Sequence, residues 1–307
     1  MLEDTSGRGK SMRVQTNAEW MFFTTLKITA SSVEGDPLSV GTGFLVTQKE
    51  EDGSTSTYLV TNKHVVEGSD SGTVIASGSQ LVHGTLRRIP NLKKRTEFLL
   101  YGQAWSWSGH PSKDIDITVM PFGGCVEHLQ AGPVSLFYTA IPIHDFVDSE
   151  ILEGLDAIED VVFVGYPNGI YDKTNNLPIV RRGMTATPVE VDYEGKPIFL
   201  IDASVFPGSS GSPVFLYNSG TWSDRGRASH IGNRLYFLGI LSSAFYRETD
   251  GTISFESIPS AIRPVLKTEE MIDLGVVFKA SAVMETIDHC RQEYDSIQMT
   301  NNSPESS

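Results

Sequence analysis

From about residue 20 onward the chain consists of short apolar runs separated by glycine, proline and polar turns, with few long periodic stretches. That rhythm predicts strands. Residues 21–28 (MFFTTLKI) read as a first strand, followed by a Gly-Asp-Pro turn at 35–37. Residues 39–46 form the next, and Gly41-Thr42-Gly43 puts small residues where another backbone can approach closely. Residues 57–62 give a third strand that runs into Lys63-His64-Val65-Val66, and 115–122 give a strongly apolar strand carrying Asp116. Loops are expected near 67–72, 88–96 and 105–114, with Trp105-Ser106-Trp107 read as a packed corner in preference to a lid. Residues 121–150, rich in glycine and proline, read as the crossing between two halves, and a second series of strands spans 161–255. Two halves of about six short strands each imply an all-β protein of two packed six-stranded antiparallel β-barrels.

Beyond residue 255 the pattern changes. Residues 258–266 read as a short helix weakened by Pro264, 274–279 as a strand, and 281–293 as a helix with Val283, Ile287 and Cys290 on one face. The expected organisation is a disordered polar tail over 1–17, a first barrel over 18–135 and a second over 136–266. A C-terminal strand-helix extension over 267–295, expected to cap the second barrel, and a disordered tail over 296–307 complete it.

Composition narrows the function classes. Of 307 residues, 39% are hydrophobic and 20% charged, as in a globular protein with a substantial core. The formal net charge of −14 disfavours phosphate backbones, so nucleic acid is not an expected partner. No run is long enough for a membrane span, and the polar N-terminus lacks the apolar segment of a signal peptide. Cys125 and Cys290 are the only cysteines, which fits free thiols in a reducing compartment, so a cytoplasmic location is expected. No cofactor or metal is called for.

The candidate chemistry centres on residues 202–215, Asp202-Ala203-Ser204-Val205-Phe206-Pro207-Gly208-Ser209-Ser210-Gly211-Ser212-Pro213-Val214-Phe215. Glycines on either side of paired serines can bend the backbone so that N–H groups converge beside a hydroxyl, the arrangement acyl transfer requires. Taken alone, the stretch reads as an ordinary Gly/Ser hairpin. His64 at the end of an apolar strand and Asp116 in another supply the general base and its orienting acid, in the chain order His, Asp, Ser. The rivals are Asp114, on the same strand face as Asp116, and Ser209 and Ser212 beside Ser210.

Together these segments resemble the trypsin/chymotrypsin-like serine peptidase superfamily, and within it the bacterial branch of Do/HtrA-like and glutamyl-endopeptidase-like domains. The matching motifs are Gly41 to Val46, Thr61-Asn62-Lys63-His64-Val65-Val66, Asp116-Ile117-Thr118-Val119 and Asp202 to Val214, with weaker agreement at Gly165-Tyr166-Pro167-Asn168-Gly169, Leu238-Gly239-Ile240 and Ile258-Pro259-Ser260. The resemblance implies a serine endopeptidase in which Ser210 attacks the carbonyl, His64 moves the proton and Asp116 orients the imidazole. Gly208 and Ser210 N–H groups would form the oxyanion hole, and too few residues follow for a PDZ domain.

Two departures from the family carry information. Ser209 replaces the acid that pairs with a cleaved N-terminus in zymogens, so activation by trimming is not expected. Ser204 stands where trypsin-like enzymes carry their specificity acid, and no histidine follows Ile240 as in glutamyl endopeptidases. A neutral pocket framed by Ser204, Val205, Phe206, Leu241, Ser242 and Ser243 is expected, taking a small or medium apolar residue from a protein or peptide substrate. Glu256 is the nearest charge that could change this. The loop over 166–182 and the C-terminal extension are the expected places for an activator or partner protein. The rival class is a protease-fold binding module with latent or lost catalysis.

Overall fold

The computed structural model describes residues 12–82, 88–131, 136–225, 229–252 and 265–301. The expected helix over 258–264, the Ile258-Pro259-Ser260 motif, Glu256 and the outer parts of both tails lie outside the described residues. Where a first strand was expected at residue 21, the chain instead forms a short helix, α1 (Asn17–Met21). The cause is a capping box: Thr16 Oγ1 accepts from Glu19 N at 3.2 Å while the Glu19 carboxylate accepts from Thr16 N at 3.0 Å. The strand starts only at Thr25.

The first half is a nine-stranded sheet. Its strands are β1 (Thr25–Ser31), β2 (Pro37–Lys49), β3 (Thr55–Thr61), β4 (Ser71–Leu81), β5 (Arg88–Tyr101), β6 (Ser108–Gly109), β7 (Thr118–Pro121), β8 (Leu136–Phe137) and β9 (Ile141–Pro142). They run in the order β5-β4-β1-β2-β3-β7-β6, with β8 on β4 and the short β9 pairing in parallel with β2. The loop expected at 88–96 is part of β5. Between β3 and β4 the sequence Lys63–Val66 makes one helical turn, α2, and the crossing between halves carries α3 (Gly123–Ala131) and α4 (Ser149–Gly154). Trp105 is buried, with Gly72 leaving room for its ring, so the aromatic pair is a packed corner.

The second half comprises β10 (Asp160–Gly165), β11 (Ile179–Thr185), β12 (Ile198–Asp202), β13 (Pro213–Ser223), β14 (Ser229–Thr252) and β15 (Val265–Lys279). They close into a barrel in the order β10-β11-β12-β15-β14-β13. The strand expected to belong to a C-terminal extension is therefore a stave of the barrel: β15 pairs with β12 on one side and β14 on the other. Without it both neighbours would expose an unpaired edge. Val265 and Leu266, expected in a helix, begin this strand.

Only the helix α5 (Ala280–Asn301) stands outside the barrel, and it does not simply cap it. Val283, Ile287 and Cys290 join the core between the halves, with Phe44 and Val60 of the first sheet and Phe215 and Phe237 of the barrel. Each such fully buried side chain contributes about 2 kcal/mol in area removed from water. Polar contacts continue the docking onto the first half: Glu285 to His110 at 3.2 Å and Arg291 to Glu50 at 2.8 Å.

Candidate active site

Asn62 follows β3 and α2 turns the chain at once, which sets His64 half-exposed on the rim between the halves. Asp116 lies just before β7, flanked by buried Ile115 and Ile117, so its carboxylate is forced to the opposite side. The two residues meet: His64 Nδ1 stands 2.6 Å from Asp116 Oδ2, and the His64 backbone N–H donates to Oδ1 at 3.1 Å. Asp114 is exposed and takes no part.

The loop that carries Asp116 is tied down from α2. Asn62 Nδ2 donates to Asp116 O at 2.7 Å, and Lys63 Nζ donates to the carbonyls of His110 and Ser112 at 2.9 and 3.0 Å. Burial by itself would raise the Asp116 pKa. Hydrogen bonds from His64 and Ser242 outweigh it and hold the carboxyl below its ordinary value.

Ser210 sits in the turn between β12 and β13. Gly208 and Gly211 have φ of +82° and +86°, conformations that side chains rarely adopt. At Gly211 a Cβ would also lie 1.8 Å from Thr42 O, so the close backbone approach expected at Gly41-Thr42-Gly43 is present. Thr42 bolts this turn to the first sheet. Its N–H donates to Ser210 O at 2.9 Å, its hydroxyl donates to Gly208 O at 3.0 Å, and that hydroxyl accepts from Tyr166 N at 3.1 Å. The rival serines point inward: Ser209 and Ser212 are buried, with hydroxyls that find no partner among the described residues. The N–H groups of Gly208 and Ser210 likewise have no acceptor among those residues.

Ser242 occupies a second role that sequence reasoning missed. Its hydroxyl donates to Asp116 Oδ2 at 2.8 Å, while its carbonyl accepts from Ser210 Oγ at 2.8 Å. The Ser210 hydroxyl is thus directed to Ser242 O in this structure. A cleft of about 430 Å³ runs past these groups, lined on one wall by Val205, Phe206, Pro207 and Ser243 and on the other by Ser39, Val40 and Val65. Two pocket residues expected from sequence are not there. Leu241 is fully buried in the barrel core, while a register shift between Leu241 and Ser243 in the β14–β15 ladder goes with Ser242 and Ser243 both lining the cleft, and Ser204 does not line it.

The long loop after β10 lies across the first sheet. Asn168 N donates to Pro207 O at 2.5 Å, Arg95 donates to the Tyr171 hydroxyl at 3.2 Å, and buried Asn176 meets Ser77. Among the described residues no three His, Cys, Asp or Glu side chains are grouped to hold a metal, and no helix is long and apolar enough to cross a membrane.

Two antiparallel strand halves with a His-Asp pair on one and a serine turn on the other define the chymotrypsin-like fold. The model of the trypsin-like peptidase domain matches residues 41–222, more than half of the chain, and the protein belongs to that family. No curated protein matches it. Similar solved structures include the Rv3671c protease from M. tuberculosis in its active form, 18% identical over 88% of this chain and 82% of that one, with a TM-score of 0.38. The inactive form of Rv3671c protease is 17% identical over 87% and 89%, with a TM-score of 0.39.

Proposed function

We propose that this trypsin-like peptidase is a serine endopeptidase working through Ser210, His64 and Asp116. The observation that carries the reading is the 2.6 Å contact of His64 Nδ1 with Asp116 Oδ2 on the rim of the cleft that Ser210 lines. An imidazole held by a carboxylate at Nδ1 has Nε2 available as an acceptor, which is the tautomer a general base requires. After the Ser210 hydroxyl turns from Ser242 O, it attacks the scissile carbonyl as His64 takes its proton. His64 then returns that proton to the leaving amine. The N–H groups of Gly208 and Ser210 receive the oxyanion, each such donor being worth about 3 kcal/mol in the transition state. Val205, Phe206 and Pro207 give the pocket an apolar wall, which suits a small or medium apolar residue before the cut bond. The free thiols of Cys125 and Cys290 support an intracellular setting for this proteolysis.

The second reading is a protease-fold binding module, favoured by the bond from Ser210 Oγ to Ser242 O in place of His64. A fluorophosphonate probe separates the two. Labelling that disappears in Ser210→Ala and falls in His64→Ala supports the peptidase; absence of labelling in the wild type supports the module. A peptide-library profile led by Arg, Lys or Glu before the cut would overturn the apolar pocket.

A further inference from the structure

We infer that the cleft selects peptides with acidic residues two to four positions after the scissile bond, read by Lys27, Arg95 and Lys173. This rests on the peptidase reading above and names the substrate class for the same site. The pocket walled by Val205, Phe206 and Pro207 holds the residue whose carbonyl is attacked, with that carbonyl fixed at Gly208 and Ser210. The chain beyond the bond must then leave over the opposite wall, Ser39, Val40 and Val65.

What lies beyond that wall follows from strand register. Lys27 on β1 pairs with Thr42 on β2 and with Ile75 on β4, and Ile75 and Ser77 pair with Glu97 and Arg95 on β5. Cross-strand partners and residues two apart share a face, so Lys27, Val40, Thr42 and Arg95 are on one face of the sheet. It is the face that meets the nucleophile turn, since the Thr42 hydroxyl donates to Gly208 O. Gly169 sits between the wall and the charge: a Cβ there would lie 3.6 Å from Val40 and 3.7 Å from Lys27 Cε. Lys27 Nζ lies 6.0 Å from the Tyr171 ring centroid, and the Tyr171 hydroxyl accepts from Arg95 at 3.2 Å. A path therefore leads from Ser210 past Val40 and Gly169 to a group of cations.

Those cations are under-compensated in a chain with a formal charge of −14. Glu97 pairs with Arg95. Asp172, next to Lys173, stays ionised while it accepts from Thr174 N and from the backbone and side-chain nitrogens of Asn175, so Lys27, Arg95 and Lys173 face Glu97 and Asp172 with one cation in excess. Burial, with added repulsion from Arg95 and Lys173 and against the pull of Glu97, holds the Lys27 ammonium below its ordinary pKa. An incoming carboxylate relieves that repulsion. In a protein of this net charge, a local excess of cations favours one direction for an acidic peptide along the cleft.

The test pairs two internally quenched peptides with the same apolar residue before the cut, followed by Ala-Asp-Glu-Asp or by Ala-Asn-Gln-Asn. The wild type should cleave the acidic peptide with a kcat/KM about 5-fold higher at low salt, narrowing as salt rises. Lys27→Glu and, separately, the exposed Lys173→Glu should reverse the preference, read as the ratio of kcat/KM for the acidic peptide to that for the neutral one. In parallel, anisotropy of both peptides labelled with a fluorophore is followed on Ser210→Ala protein. Charge-dependent binding without cleavage by the wild type would sink the peptidase reading and keep the acidic preference. Equal kcat/KM or equal affinity for the two peptides, or no binding and no cleavage, would overturn the inference.

Discussion

In the first sheet the imidazole and carboxylate are held by side chains: Asn62, Lys63 and, from across the cleft, Ser242 each donate a hydrogen bond to the Asp116 segment or to Asp116 itself. In the barrel the serine is held by main chain, through two positive-φ glycines and the backbone bond from Thr42 N to Ser210 O. The difference matters because the two kinds of support fail differently. A side-chain clamp can be removed atom by atom and weakens in steps. A backbone turn with no room for a Cβ is kept or lost as a whole.

Removing the reacting groups gives the largest effect. Ser210→Ala and His64→Ala should each lower kcat/KM by about 10⁴-fold or more, with the unfolding midpoint unchanged in Ser210→Ala and somewhat lowered in His64→Ala, which strips Asp116 of a partner, as read in peptide cleavage and thermal melts. Next comes Gly211→Ala, which puts a Cβ 1.8 Å from Thr42 O at a φ of +86°. It should cost about 3 kcal/mol or more in urea unfolding. Gly123→Ala, at a helical position with nothing within 4 Å, should be neutral or slightly stabilising. If Gly211→Ala melts like Gly123→Ala, the main-chain account of the barrel side is wrong.

Thr42→Val keeps the shape but removes the hydroxyl that bridges Gly208 O and Tyr166 N. About 1–3 kcal/mol of stability should be lost, with kcat falling more than KM rises, because the turn that would hold the oxyanion is loosened. The smallest effect is expected from Ser242→Ala. Asp116 has a depressed pKa, so its ionised contacts stabilise the fold above the ordinary carboxylate pKa, and that contribution disappears as pH falls through the depressed value. Without the Ser242 hydroxyl the Asp116 pKa should rise, so its contribution at neutral pH shrinks and its loss on acidification is complete at a higher pH, the titration being followed by carboxyl-carbon NMR. An unchanged Asp116 titration would remove Ser242 from the clamp.

Much of this could be read from the chain. His64, Asp116 and Ser210 stand out only together, by their order and segment context, and Gly41-Thr42-Gly43 announces a close backbone approach that Gly211 makes. The capping box at Thr16 and Glu19 was equally readable, since its spacing is local, although the apolar run after it suggested only a strand. Other features were not. Leu241 and Ser242 are neighbours and both looked like pocket residues, but at a register shift in the β14–β15 ladder one enters the barrel core and the other reaches Asp116. Ser204 looked like pocket floor because of its distance from Ser210 along the chain, a measure that does not fix where a turn points.

The sequence by itself determined most of the strands, the three candidate catalytic residues in order, and the glycines that a serine turn needs. These depend on local backbone preference and on side-chain chemistry, which each segment carries with it. Only the tertiary structure decided that β15 closes the barrel, that α5 docks between the halves, and that Ser242 joins Asp116 to Ser210. Each depends on partners far apart in the chain, and pairing over such distances is set by which edges and apolar faces remain to be covered once the local elements have formed.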